Sequence, residues 1–212
     1  MDDSFKIIFL DINNIIPEEN VELKDGDDLK PEIKEKCKVI NSILDNFIEN
    51  NILVDVEKEE KYSFQIISFI YRLDKTTIKT YKFYLFRQIN EHINIDLSAF
   101  CILFNLEKEC SKELVETLIG FIEKIDNIKV CIFGYYKSKN NIVTTRENIE
   151  ELFTDENDAP IDHKYLEIDL NKDSQNQVNK YIGELMQEIY NEGGKKINDR
   201  GDRNAQSGCI LI

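Results

Sequence analysis

Three short runs of the chain are apolar at nearly every position: residues 5–10 (Phe-Lys-Ile-Ile-Phe-Leu), 99–106 (Ala-Phe-Cys-Ile-Leu-Phe-Asn-Leu) and 129–135 (Lys-Val-Cys-Ile-Phe-Gly-Tyr). A strand with one face in water alternates apolar and polar residues, whereas a strand covered on both faces does not. Runs of this kind therefore demand a parallel sheet with helices on both sides, and the rest of the chain has to supply those helices.

It does so in alternation with the strands. From Pro31, which suits a first helical turn, apolar residues Ile33, Cys37, Ile40, Leu44, Phe47 and Ile48 recur at helical spacing. Leu114, Val115, Leu118, Ile122 and Ile125 form a second stripe, and Val178, Tyr181, Ile182, Leu185, Met186 and Ile189 a third, headed by a Ser174/Gln177 cap. Thr144 with Glu147 reads as a capping box before a short helix carrying Ile149, Leu152 and Phe153. Residues 165–170 read as another strand, residues 52–56 as a segment that pairs locally, and residues 11–30, polar and acidic with Pro17 and Asp25-Gly26-Asp27, as a long loop. Residues 62–73 and 77–87, rich in aromatic and β-branched residues and split by Asp74-Lys75-Thr76, predict an antiparallel hairpin. In that hairpin Tyr81, Phe83 and Leu85 share one face and Tyr84 and Phe86 the other; core on both sides and a partner-binding patch are both open to them. The expected fold class is thus α/β: a mostly parallel six-stranded sheet with one antiparallel edge pair and helices on both faces.

The 212 residues divide into a domain over 1–191 and a flexible tail over 192–212. A net charge of −14 with no basic stripe excludes nucleic acid as a natural partner. The acidic start Met1-Asp2-Asp3 and the want of a long apolar run predict a protein kept in the cytosol. Cys37, Cys101, Cys110 and Cys131 have no C-x-x-C spacing and read as reduced thiols of the core; His92 and His163 stand far apart, so no metal site is expected.

The tail carries the sharpest functional signal. Cys209-Ile210-Leu211-Ile212 has the C-a-a-X form: a thiol to become a thioether at Cys209, and Ile210, Leu211 and Ile212 as the residues a prenyltransferase recognises. Ile212 is closest to leucine, which favours geranylgeranyl over farnesyl. Residues 192–208 hold four of the eight glycines, and their four cations against three carboxylates leave a net charge of plus one. With no polybasic run and no second cysteine nearby, a single lipid predicts reversible anchoring at the cytoplasmic face of a membrane, exchanging with cytosol, with protein effectors or a lipid-shielding chaperone as partners.

This order of elements, ending in a C-a-a-X box, resembles the Ras superfamily of small GTPases, a P-loop NTPase-type architecture. In detail the likeness lies in the C-terminal half: residues 99–104 resemble the family's fourth strand, residues 129–134 its fifth strand ending in the glycine of its base-recognition motif, and Tyr165-Leu166-Glu167 the start of its sixth. The nucleotide motifs are missing. A phosphate loop needs glycines whose bare amides close around phosphate oxygens, yet residues 27–119 contain no glycine, and the first strand leads into Asp11-Ile12-Asn13-Asn14-Ile15-Ile16-Pro17. The D-x-x-G position falls near Phe86-Arg87-Gln88-Ile89, the N-K-x-D position on Tyr135-Tyr136-Lys137-Ser138, and the S-A-K position on Asp169-Leu170-Asn171. The resemblance thus implies a pseudo-GTPase with no catalytic, nucleotide-binding or metal residues and no cofactor. Two alternatives stay open: an atypical active small GTPase that binds GTP and magnesium through substituted residues, and an unrelated doubly wound protein. Residues 13–17 occupying the space beyond Leu10 would mark an intramolecular plug.

Overall fold

The computed structural model describes residues 4–15, 38–52, 56–60, 64–87, 97–123, 125, 128–154, 160–171 and 175–205, without the side chains of 60, 175 and 193–205. Seven strands form one sheet: β1 (Phe5–Asp11), β2 (Glu57–Glu60), β3 (Phe64–Arg72), β4 (Ile78–Phe86), β5 (Ala99–Asn105), β6 (Lys129–Tyr136) and β7 (His163–Asp169). Four helices accompany them: α1 (Lys38–Asn51), α2 (Lys112–Ile122), α3 (Arg146–Leu152) and α4 (Gln175–Ala205). The strand order is β2-β3-β4-β1-β5-β6-β7. β4, β1, β5, β6 and β7 run parallel, and β3 is antiparallel to both of its neighbours. The α/β class, the parallel core and the antiparallel hairpin are as the sequence predicts.

Each non-alternating run is covered twice. On one side Ile7, Phe9, Phe83, Cys101 and Phe133 meet Ile40, Leu44 and Phe47 of α1 and Val178, Ile182 and Met186 of α4. On the other, Ile8, Leu10, Ile102, Phe104 and Ile132 meet Val115 and Leu118 of α2, Ile149 of α3 and Phe153 just beyond it. Each such aliphatic or aromatic side chain removed from water contributes roughly 1.5–3 kcal/mol. Phe83 stands at a ring junction, edge-to-face with Phe69 at 4.6 Å and tilted against Phe9 at 4.9 Å.

Several expectations need correction. The sheet has seven strands, not six, because β2 adds an edge to the hairpin; of the segment expected to pair locally at 52–56, residues 53–55 lie outside the described residues. The Glu-Lys-Glu-Glu sequence of β2 has no apolar pattern to announce it, and the strand is held by backbone bonds to β3 while Lys58 reaches Asp45 of α1 at 2.8 Å. The aromatics of β4 form no patch: Tyr81, Phe83, Leu85, Tyr84 and Phe86 are all buried. The capping box of α3 is Thr145 with Asn148, one residue later than Thr144 with Glu147. Thr144 is buried, and its hydroxyl donates to the Lys108 carbonyl at 2.7 Å.

α4 continues through Gly193, Gly194 and Gly201 to Ala205, where the sequence reading has a flexible tether from 192. No proline interrupts it. Residues 16–37, with most of the acidic loop, Pro31, Ile33 and Cys37, lie outside the described residues, as do His92 and Ser174. Cys101 and Cys131 are buried free thiols directly opposite each other on β5 and β6; Cys110 is free and half-buried.

Candidate functional site

In an open parallel sheet, ligands bind beyond the carboxyl ends of the strands, where connections leave the sheet in opposite directions. Here β1 is flanked by β4 and β5, so that crevice opens between the ends of β1 and β5, at Asp11 and Asn105. Any phosphate cradle of this fold would have to be built there.

The crevice is closed by the chain itself. After Asp11 the backbone turns once as a 3-10 helix over Ile12–Asn14, with the Asp11 side chain accepting from the Asn13 backbone N–H at 3.2 Å. Ile12 is buried against Leu10 and Phe104, which fixes the turn over β5. Asn13 then accepts the N–H of Asn105, the last residue of β5, on its Oδ1 at 2.7 Å, and donates from Nδ2 to the Glu109 carbonyl at 3.4 Å. Thus Asn13 occupies an amide at the end of β5 that faces the crevice.

Asp11 organises the other half. Its Oδ2 accepts from the Tyr135 hydroxyl at 2.8 Å and from Asn14 Nδ2 at 2.7 Å. The residue is only 5% exposed, and burial raises its carboxyl above the ordinary value against three hydrogen bonds that favour the charged form. Burial, and then the Asp11 charge, push the Tyr135 hydroxyl up as well, so it stays a donor at neutral pH. A tyrosine next to the end of a buried strand must place its hydroxyl somewhere, and Asp11 receives it.

A second carboxylate ties down the chain that leaves β6. Glu107 accepts from the backbone N–H groups of Lys137 at 3.2 Å and Ser138 at 3.0 Å. Asn171 Nδ2 donates to the Lys137 carbonyl, and Leu170 N donates to Tyr136 O at 2.9 Å. Residues 136–138 are therefore bonded both to residues 170–171 and to Glu107.

Gly134 was expected to end the fifth strand of the family pattern as a base-recognition glycine. Instead β6 runs two residues further, to Tyr136, and Gly134 lies inside it. A Cβ at this position would stand 2.3 Å from the Tyr165 hydroxyl and 3.1 Å from Leu106 Cδ1, so the glycine is there to admit the phenol of the neighbouring strand. Arg146 caps that phenol, its guanidinium 5.0 Å from the ring centre.

At the D-x-x-G position Phe86 and Arg87 are buried, and residues 88 and 89 lie outside the described residues. The lipidation residues Cys209, Ile210, Leu211 and Ile212 lie outside them too. Among the described residues no cluster of three or more His, Cys, Asp or Glu side chains could hold a metal ion, and no helix is long and apolar enough to cross a membrane. Chemically, the crevice offers two carboxylates and amides already satisfied from within. A phosphate oxygen about 4 Å from Asp11 would meet roughly 4 kcal/mol of repulsion per pair of unit charges at near-surface screening.

The sequence shows Asp11 as a carboxylate set against phosphate and residues 13–17 as a candidate plug, but not Asn105 and Tyr135 as the partners of Asn13 and Asp11, nor Glu107 as the acceptor at Lys137 and Ser138. A polar group at or next to the end of an apolar strand, as at Asn105 and Tyr135, is the signal that could have found two of them. No model of a known protein family matches the chain, and no curated protein does.

Proposed function

We propose that this chain is a prenylated, membrane-recruited pseudo-GTPase, a protein-binding module in signalling or vesicle traffic that neither binds nor hydrolyses nucleotide. One observation carries the nucleotide-free part: the turn Ile12–Asn14 fills the switch-point crevice, with Asn13 on the Asn105 amide and Asp11 on the Tyr135 hydroxyl. A phosphate loop works by presenting unsatisfied amides, and here a side-chain amide and a carboxylate have taken that place. The antiparallel pairings of β3, which fall between α1 and β5 in the chain and at one edge of an otherwise parallel sheet, support the Ras-like scaffold. The Cys209-Ile210-Leu211-Ile212 sequence supplies the membrane part, taking Ile212 as the chain end. Regulation then passes through membrane exchange, a lipid-shielding chaperone and protein effectors instead of γ-phosphate contacts.

Titration with a fluorescent guanine nucleotide in millimolar magnesium tests the first half: no saturable signal is expected. A stoichiometric nucleotide in the purified protein would replace this function with that of an atypical GTPase. Intact mass of the chain from a eukaryotic host tests the second half, with one prenyl group expected and lost on Cys209→Ser.

A further inference from the structure

Two thiols are set side by side on the face of the sheet that α4 covers. In register, Phe9 of β1, Cys101 of β5, Cys131 of β6 and Lys164 of β7 stand in one row across four parallel strands. Residues directly opposed on neighbouring strands share a face, so both thiols and the lysine lie on the same side as α4. Their neighbours Phe9, Ala99, Leu103 and Phe133 are all core residues, and both cysteines are buried and free.

Two features separate Cys131 from an inert core thiol. The first is access: a cleft of about 270 Å³ opens where β6 and β7 begin beside α4, and Cys131 lines it together with Lys129, Lys164, Leu185 and Glu188. The second is polar company. The thiols of Cys101 and Cys131 are hydrogen-bonded to each other, and the Tyr181 hydroxyl, buried without a hydrogen-bonded nitrogen or oxygen among the described residues, lies against Cys131. Lys164 adds an ammonium on the far side of the row, shared with Glu188 of α4. Burial pushes the Cys101 thiol up, whereas the bond from Cys101 outweighs burial at Cys131 and pulls that thiol down. The shared proton therefore rests on Cys101, and thiolate character falls on Cys131, the residue that lines the cleft.

We propose that Cys131 and Cys101 form a peroxide-reactive dithiol, with Cys131 the nucleophile and Cys101 the resolving thiol of an intrachain disulfide. The Cys131 sulfur attacks one oxygen of hydrogen peroxide: an S–O bond forms, the O–O bond breaks, and the departing hydroxide takes up a proton as water. The Cys101 sulfur then attacks the Cys131 sulfenic acid, an S–S bond replaces the S–O bond, and the hydroxyl leaves with the Cys101 proton as a second water. The two thiols are oxidised by two electrons and the peroxide is reduced by two. Neighbouring strands stand about 4.7–4.9 Å apart, inside the roughly 4.4–6.8 Å between Cα atoms that a disulfide spans, so the backbones are already within reach. The cleft is smaller than the roughly 300–1,000 Å³ of sites for drug-sized ligands, which fits a hydroperoxide and leaves out a glutathione disulfide. This chemistry stands apart from the sealed crevice and from Cys209, and it does not depend on the function proposed above.

The test treats the folded full-length protein with hydrogen peroxide, alkylates the remaining thiols and maps the tryptic peptides without reduction. Residues 88–108 are expected to be linked to residues 130–137 with the loss of two hydrogen atoms, and dithiothreitol should separate them. In Cys101→Ala the resolving thiol is gone, so Cys131 should accumulate as a sulfenic acid that dimedone captures; Cys131→Ala should give no adduct at Cys101. A Cys131 that stays alkylatable while Cys110 oxidises overturns the proposal, as does a link from Cys131 to Cys37, Cys110 or Cys209. A dimedone adduct on Cys101 in Cys131→Ala overturns the assignment of roles. Because a core substitution can loosen the fold, wild type is also mapped in urea below its unfolding transition. A linking rate that does not change with urea there supports reaction of the folded protein, and one that climbs with the unfolded population overturns it.

Discussion

The Tyr135 hydroxyl and the Asp11 carboxylate, 124 positions apart in the chain, meet at 2.8 Å beneath the turn that seals the sheet. The bond ties the end of β6 to the end of β1 across β5, so it reports on the closed crevice directly. Tyr135→Phe removes a donor from a buried carboxylate and should cost about 1.5–3 kcal/mol in urea unfolding. A change below about 0.5 kcal/mol would mean that water substitutes for the hydroxyl and the crevice is open.

The same carboxylate predicts a pH dependence. Burial raises the folded-state value of Asp11 above its ordinary 3.8, so its contribution is fully present below 3.8 and is lost as pH rises through the folded value. Wild type should therefore lose stability relative to Asp11→Asn as pH climbs from 3.8, and the difference should level off above the folded value. A difference that is flat across that window would contradict the burial of this group.

Asn13→Ala frees the Asn105 amide that its side chain holds at 2.7 Å. Hydrogen exchange at Asn105 should speed up by about tenfold or more, the loss of a net bond of roughly 1 kcal/mol or above. The amides of Cys101 to Leu103, inside the β5 ladder, should stay protected. Unchanged exchange at Asn105 would show that the turn does not seal the strand.

Gly134→Ala sets a methyl group against the Tyr165 hydroxyl and Leu106 Cδ1, at 2.3 and 3.1 Å before relaxation. Overpacking of this kind costs about 1–3 kcal/mol. Adding Tyr165→Phe removes the nearest atom and should recover part of the loss in thermal unfolding. Equal Tm values for the single and double variants would indicate that the ring swings away freely.

What the sequence made legible follows from where the information is local. The non-alternating run at residues 5–10 reads as a doubly covered strand because burial on both faces is a property of the segment alone, and the stripe Ile40, Leu44, Phe47 and Ile48 reads as a helix face for the same reason. Glu57–Glu60 was not legible because an edge strand without an apolar pattern borrows its order from the neighbour's backbone. Thr144 and Thr145 are both sound caps by type; the carbonyl of Lys108, far away in sequence, takes the first and leaves the helix to the second. The seal shows the same division. The loss of glycine after β1 is visible in the sequence, but Asn13 meeting Asn105 depends on which strand lies beside β1.

The socket at Gly134 has an evolutionary consequence. A bulkier residue at position 134 has to displace the phenol of Tyr165, and shrinking Tyr165 first would leave the space beside Gly134 unfilled. Change at the two positions is therefore expected to be coupled, a side chain at 134 being best tolerated where position 165 has given up its hydroxyl.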